Sequence, residues 1–139
     1  MATAANLNPR IIEGLYCDAL VLSDEVRARF TQSRRPGSAA GEQSQIALSC
    51  EGLRTTTRMM HAVAWLLNHR AFLNGELSEG QLRRHGSLPT CPDGDPERIA
   101  LLDPETRTLI HETERFHARL KRIDNRWRSC STAANQRPC

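Results

Sequence analysis

Residues 55–71, TTTRMMHAVAWLLNHRA, are apolar around almost the whole circumference of a helix. Three apolar stripes run side by side at helical spacing: Met60, Ala64, Leu67 and Ala71; Met59, Val63 and Leu66; and Trp65 with Phe72. An amphipathic surface helix needs only one apolar face, about 100° wide. The stretch is also too short to span a bilayer, which takes about 20 apolar residues. We therefore predict the central helix of an all-α assembly, covered by other helices on several sides.

The composition is typical of a small cytoplasmic protein. The chain has 139 residues, enough for one domain, and a net charge of only +3. Aromatic residues make up 4%, so we expect a modest core of aliphatic side chains. The N-terminal residues lack the apolar core of a signal peptide. The five cysteines form no CxxC pair, which favours reduced thiols in the cytoplasm over disulfides or a zinc ribbon.

The first predicted helix covers about residues 9–31. Asn8 is a suitable N-cap, and Pro9 fits the first helical turn. A heptad seam follows at a 3, 4, 3, 4 spacing: Ile12, Leu15, Ala19, Leu22 and Val26. Residues 32–41 mix Pro, Gly, Ser and charged residues, and this composition predicts a mobile linker.

The second predicted helix covers about residues 42–74, and Asn74-Gly75 should end it in a left-handed turn. Its apolar seam is longer: Ile46, Cys50, Leu53, Thr57, Met60, Ala64, Leu67 and Ala71. Residues 76–103 are predicted to form an irregular loop. Within this loop, Ser78 and Gln81 have the spacing of a capping box, which predicts a short helix over residues 78–85.

The third predicted helix covers about residues 104–128. Asp103 and Pro104 supply an N-cap and a first-turn proline. Its seam again alternates in steps of four and three: Leu109, Thr113, Phe116, Leu120, Ile123 and Trp127. Residues 129–139 are small and polar, and we expect them to form a flexible, disordered tail.

Together these helices predict a three-helix, up-down-up bundle. Narrow seams can cover one side of the second helix, but they cannot easily cover the Met59, Val63 and Leu66 side and the Trp65 and Phe72 side as well. We therefore predict a homodimer formed through that helix, with two-fold symmetry as the simplest arrangement. The side chains expected in the core or the dimer interface are Met59, Met60, Val63, Trp65, Leu66, Leu67 and Phe72.

We find no constellation that predicts catalysis, a cofactor or a metal. His61 and His69 lie about 12 Å apart along a helix axis, too far for one metal ion. His111 and His117 are six residues apart and point in different directions, whereas a zincin motif needs a spacing of four. The nucleophile-elbow, phosphate-loop and dinucleotide-binding motifs are absent from the sequence. These observations predict a protein that is not an enzyme.

Charge is concentrated at the third helix. From residue 104 onward the sequence has eight basic and four acidic side chains, a local net charge of +4. Three interpretations remain open. The basic side chains form a solvated face with intrahelical pairs, such as Asp124 with Arg128. Alternatively, they bind an acidic partner or the Asp18 and Glu25 edge of the first helix, or they bind nucleic acid. Arginines on the second helix lie at an interface rim or in a partner site. The candidate partner-binding residues are Arg54, Arg58, Arg70, Arg115, Arg119, Arg122 and Arg126.

The second helix also resembles the signature of a known family. Residues 53–77, LRTTTRMMHAVAWLLNHRAFLNGEL, are similar to the regulator of CtrA degradation family, once described only as a domain of unknown function. The matching positions are Arg54, Thr56, Thr57, Arg58, Met60, Trp65, Leu66, Leu67, Arg70 and Ala71. The departures are Gly52, Thr55, His61, Asn68 and His69.

The resemblance implies an alphaproteobacterial adaptor of regulated proteolysis. Members of that family are three-helix-bundle homodimers that help deliver cell-cycle regulators to the ClpXP protease. They localise to the cell pole, and their C-terminal tail contributes to adaptor function. The partners implied for this chain are therefore a second copy, proteins of the ClpXP pathway and a protein cargo. The alternative reading is a nucleic-acid-associated regulator that uses the basic third helix.

Overall fold

The computed structural model describes residues 7–33 and 41–136 of the chain. Within these ranges the fold is an all-α helical bundle of five helices. Three are long: α1 (Pro9–Ser33), α2 (Glu42–Leu73) and α5 (Pro104–Gln136). Two are short: α3 (Glu79–His85) and α4 (Pro96–Ile99). None of the described helices is both long and apolar enough to cross a membrane.

The residues that the sequence predicts as helix caps and stops do occupy the helix ends. The Asn8 side chain accepts a hydrogen bond from the Arg10 amide at 2.9 Å and caps α1. Gly75 adopts a positive φ of 80° just after α2, a conformation that glycine reaches without steric cost. At α3, Ser78 and Gln81 form both hydrogen bonds of a capping box, at 2.9 and 3.1 Å.

Helix α2 is the centre of the bundle, as its sequence predicts. It contacts each of the other four helices. The predicted seams of α1 and α5 pack into the core around it, with Ile12, Ala19 and Leu120 completely buried. Leu22, Phe116 and Ile123 are half-buried and pack against the same core.

The heptad seam of α2 lies on the opposite side from the one expected. Leu53 is 68% exposed and Met60 is 65% exposed, while residues 51, 58 and 65 are buried. Positions two apart on a helix differ by about 200°, so these two sets occupy opposite faces. The single chain therefore covers the face that contains the polar residues and leaves the aliphatic seam open.

Two regions differ from the sequence-based boundaries. The predicted irregular loop of residues 76–103 contains α3 and also α4, which begins after the N-cap Asp95. Helix α5 continues to Gln136, eight residues past its predicted end at 128, so the first part of the predicted disordered tail is helical. Residues 34–40 of the predicted linker and residues 137–139 of the predicted tail lie outside the described residues.

Candidate functional site

An open apolar groove runs between α1 and α2. Its volume is about 820 Å³, and most of its lining is aliphatic or aromatic. Leu53, Met60 and Leu67 line it from every second turn of α2, and each is at least 44% exposed. These residues repeat every seven positions, so one straight stripe about 20 Å long remains uncovered. A monomer seldom leaves so continuous an apolar surface without a use for it.

Close packing of the two helices forms the floor of the groove. The ring of Phe30, on α1, lies against the backbone of Gly52, on α2. A Cβ atom at position 52 would be only 3.0 Å from Cδ1 of that ring. The polar rim is small: Arg27 pairs with Asp24 on the solvent side of α1 at 2.7 Å. The groove is therefore suited to the apolar face of another helix.

The opposite face of α2 is buried although it is rich in polar side chains. Glu51, Thr55, Arg58 and His69 follow one side of the helix together with Trp65, and each is at most 2% exposed. A buried polar group costs free energy unless it finds a hydrogen-bond partner. Most partners come from residues 86–95, which we name the strap, and from α5.

Two arginines of α2 hold the strap by its backbone. The Arg54 Nη1 atom donates to the Asp93 carbonyl at 3.1 Å, and the Arg58 Nη2 atom donates to the Pro92 carbonyl at 3.1 Å. The Arg58 Nη1 atom also donates to the Thr113 hydroxyl of α5 at 3.0 Å. Arg58 thus joins α2, the strap and α5 from inside the protein.

Two carboxylates bind the end of the strap. Glu51 accepts a hydrogen bond from the Asp95 amide at 3.2 Å, and Glu114 accepts one from the Gly94 amide at 2.8 Å. A Cβ atom at position 94 would lie 2.5 Å from both the Glu51 carboxylate and the Ile99 side chain. A side chain at position 94 would therefore force the buried ends of the Glu51 and Ile99 side chains to move.

Helix α5 holds the start of the strap in the same way. Lys121 donates to the Leu88 carbonyl at 2.6 Å, and the His117 Nε2 atom donates to the Pro89 carbonyl at 3.0 Å. The buried Asp124 carboxylate accepts a hydrogen bond from the Leu88 amide at 3.2 Å. The strap thus has side-chain partners on both α2 and α5 and fills the space between these helices.

Asp124 is also the junction between α5 and the signature tryptophan. Its Oδ1 atom accepts a hydrogen bond from the Trp65 indole at 3.0 Å and one from the Arg128 Nε atom at 3.1 Å. The second bond confirms the predicted intrahelical pair. Because the carboxylate is 1% exposed, these donors supply the stabilisation that water would otherwise provide.

His69 lies beside this junction in an aromatic environment. Its ring centre is 4.1 Å from that of Trp65 and 5.5 Å from that of Trp127. Burial lowers the pKa of His69 to about 4; the Asp124 carboxylate opposes this shift and Arg128 adds to it. The imidazole is therefore neutral at physiological pH and packs as a core ring.

A second histidine contacts a cysteine at the edge of the strap. The His61 Nδ1 atom lies 3.1 Å from the Cys91 sulfur, and both side chains are partly exposed. Burial raises the pKa of the Cys91 thiol, although the nearby Arg58 guanidinium acts in the other direction. The thiol form is thus favoured over the nucleophilic thiolate. Across the described part of the chain, no three His, Cys, Asp or Glu side chains are grouped so that they could hold a metal ion.

The structure divides the residues expected in the core or dimer interface into three groups. Met59, Trp65 and Leu66 are buried. Val63 and Phe72 are half-buried, with Phe72 against the Trp127 ring. Met60 and Leu67 are exposed in the groove of the single chain.

The candidate partner-binding arginines also differ in burial and in their contacts. Arg58 is 2% exposed and hydrogen-bonded inside the bundle, so its side chain is not available at the surface of the single chain. Arg54 is half-buried and bound to the strap. Arg70 pairs with Glu13 at 3.0 Å and lies over the Tyr16 ring at 4.2 Å, linking α2 to α1. The remaining candidates are exposed on α5: Arg115, Arg119, Arg122 and Arg126.

Sequence reasoning missed the residues that bind the strap. They are Glu51, Glu114, His117, Lys121 and Asp124, whose carboxylate is buried. One signal was present: Glu51, Thr55, Arg58, Ala62, Trp65 and His69 repeat at a 4, 3, 4, 3, 4 spacing, as a core seam does. Polar residues at this spacing are not expected in a core, and the partners that allow their burial lie far away in the sequence.

These features define a helical-bundle protein with an open apolar groove on one face and a bound strap on the other. A family model described as "Protein of unknown function (DUF1465)" matches residues 3–138, almost the whole chain. The chain belongs to this uncharacterised family. Neither a curated protein nor a solved structure matches it significantly.

Proposed function

We propose that this chain is a non-enzymatic interaction protein that works as a homodimer, joined through the groove of α1 and α2. The observation that carries the proposal is the row of exposed aliphatic side chains at residues 53, 60 and 67. In an isologous dimer the same row from a second copy would fill the groove. The three long helices of each copy would then form a bundle whose central helix is covered on both sides.

The resemblance to the regulator of CtrA degradation family extends the proposal to regulated proteolysis. On this reading the protein is an alphaproteobacterial adaptor, cytoplasmic and recruited to the cell pole. It helps deliver cell-cycle regulators to the ClpXP protease. The support is the sequence of α2, where Trp65 and Arg58 are family positions that the structure uses to bind α5 and the strap. The signature would thus maintain the scaffold, and the exposed surfaces would bind the partners.

The dimer is tested by sedimentation of three full-length proteins. Met60→Asp places a charge in the groove, where burial against a second copy would be costly. The matched control is Ile11→Asp, because Ile11 is also exposed but does not line the groove. We expect the natural sequence and the control to sediment as dimers at micromolar concentration and Met60→Asp as a monomer. A monomeric natural protein, or a dimeric Met60→Asp, would contradict the proposed interface.

The adaptor role is tested by reconstituted proteolysis. Purified ClpXP, ATP and the cell-cycle regulators of the native bacterium are incubated with the full chain, with Met60→Asp or with a version that ends at Arg128. We expect the full chain to accelerate the loss of at least one regulator and both altered proteins to do so less. If the full chain leaves every degradation rate unchanged, the proteolytic role is wrong, while the sedimentation result still decides the dimer.

A further inference from the structure

Charge is sorted between the two sides of α5. Arg115, Arg119 and Arg122 are exposed on its outer face, in one row with Arg126. Between residues 113 and 128 the acidic side chains turn inward: Glu114 binds the strap, and Asp124 is buried. Glu112, three residues before the row, is half-exposed. Protein surfaces usually intersperse charges of both signs. This outer face is cationic throughout the row.

The row has no partner within the described residues. None of its four guanidinium groups forms a hydrogen bond or ion pair with the described part of the chain. Arginines that serve the fold behave differently, since Arg58 and Arg70 each bind a residue far away in sequence. The fold therefore makes no use of the charge that the row displays.

The spacing of the row favours a carboxylate-bearing helix. Steps of four, three and four residues place the arginines about 6, 4.5 and 6 Å apart along the axis, about 16 Å in total. Asp or Glu at the same spacing on a facing helix would meet each guanidinium in turn. The planar fork of arginine can hold a carboxylate by two parallel hydrogen bonds.

We propose that the row from Arg115 to Arg126 docks an acidic helical segment of a partner protein. Nucleic acid fits the surface less well. Proteins that hold single strands stack bases on exposed aromatic rings, but the rings beside the row are not available: Phe116 packs against the core and Trp127 is buried. The excess charge of the chain is also small, +3, for a protein that tracks a phosphate backbone.

The test measures fluorescence anisotropy with three labelled probes. The first is a 15-residue helical peptide with Glu at positions 2, 6, 9 and 13, the second has Gln at those positions, and the third is a 20-base-pair DNA duplex. Arg119→Gln/Arg122→Gln removes the middle of the row. Arg10→Gln/Arg84→Gln removes the same charge from exposed positions outside α5 and is the matched control. Far-ultraviolet circular dichroism confirms that both variants remain helical.

We expect the Glu peptide to bind more tightly than the Gln peptide and the DNA. The row variant should bind it about tenfold more weakly, as the loss of two exposed ion pairs predicts, and the control variant within about twofold of the natural chain. Equal losses in the two variants would show an effect of net charge alone and overturn the proposal. Preferential binding of DNA, or of the Gln peptide, would overturn it as well.

The row is separate from the groove, so the two proposals can fail independently. Met60→Asp, which is designed to break the dimer, leaves the arginines of α5 unchanged and should bind the Glu peptide as the natural chain does. Loss of peptide binding in that variant would show that the peptide occupies the groove, and it would overturn the assignment to the row.

Discussion

The two faces of α2 reverse the usual relation between polarity and burial. The face with Leu53, Met60 and Leu67 is aliphatic and exposed, whereas the face with Arg58 and His69 is polar and buried. The difference lies in the supply of partners. The strap and α5 provide hydrogen-bond partners for Arg58 and Glu51, and His69 packs against two tryptophan rings, although the Thr55 hydroxyl and the His69 Nε2 atom have no hydrogen-bond partner. Nothing in the described chain covers the aliphatic row. A polar face can be a core face when its partners are built into the fold.

The largest effect that would separate the two faces is expected at Trp65. Trp65→Ala should lower the free energy of unfolding by about 4 kcal/mol, because it opens a large cavity and removes a donor from the buried Asp124. Met60→Ala, on the exposed face, should change it by less than about 0.5 kcal/mol. Urea denaturation of dilute protein measures both. Similar losses in the two variants would show that the exposed face is also packed in the monomer.

The next effect concerns the arginine that links three elements. Arg58→Met keeps much of the aliphatic volume but leaves the Pro92 carbonyl without its donor and removes the ion pair between Arg58 and Glu114, whose atoms are 3.9 Å apart. We expect a loss of about 3 kcal/mol in the free energy of unfolding. Arg115→Met, on the exposed row, should cost less than about 0.5 kcal/mol in the same urea titration. An Arg58→Met protein as stable as the natural chain would mean that the strap is not held through this side chain.

A smaller effect is expected from acid at the polar face. The pKa of His69 is lowered to about 4 in the folded chain, below its ordinary value of 6.5. As the pH falls below 6.5, the unfolded chain takes up the proton first, so stability is lost between about pH 6.5 and pH 4. From pH 7 to pH 5 the loss should be roughly 2 kcal/mol.

His117 adds to this loss, because burial lowers its pKa as well. Replacing His69 with Met, a comparably large apolar residue, should remove the His69 part of the pH dependence while leaving the His117 part. Thermal melting of the two proteins between pH 5 and pH 7 measures the difference. If the two proteins lose stability equally over this range, His69 is not the titrating group.

The comparison also shows why sequence reasoning succeeded for two of the long helices. In α1 and α5 one heptad seam is the longest apolar stripe, and this seam faces the core, although α1 also leaves Ile11, Leu20 and Val21 exposed. In α2 the apolar residues occupy most of the circumference. Periodicity alone then cannot select a face. The longest aliphatic seam predicts the core face of α2, but the fold leaves that seam exposed.

The strap was the least predictable part of the structure. Residues 86–95 contain no periodic pattern, and their backbone is held by side chains such as Glu51 and Lys121, which lie 44 and 33 positions from the residues that they bind. Local sequence contains no information about such contacts. The tight approach at Gly94 likewise becomes a reason for glycine only after α2 is placed beside it.

The sequence by itself determined the local structure of this protein. Asn8, Ser78 and Asp103 cap their helices, and Gly75 ends α2. The apolar seams of α1 and α5 face inward. Each of these features depends on residues that are close together in the sequence. Tertiary structure alone decided which face of α2 is buried. Arg58 and Asp124 can leave water only when groups from other elements replace it, and the fold brings those groups together.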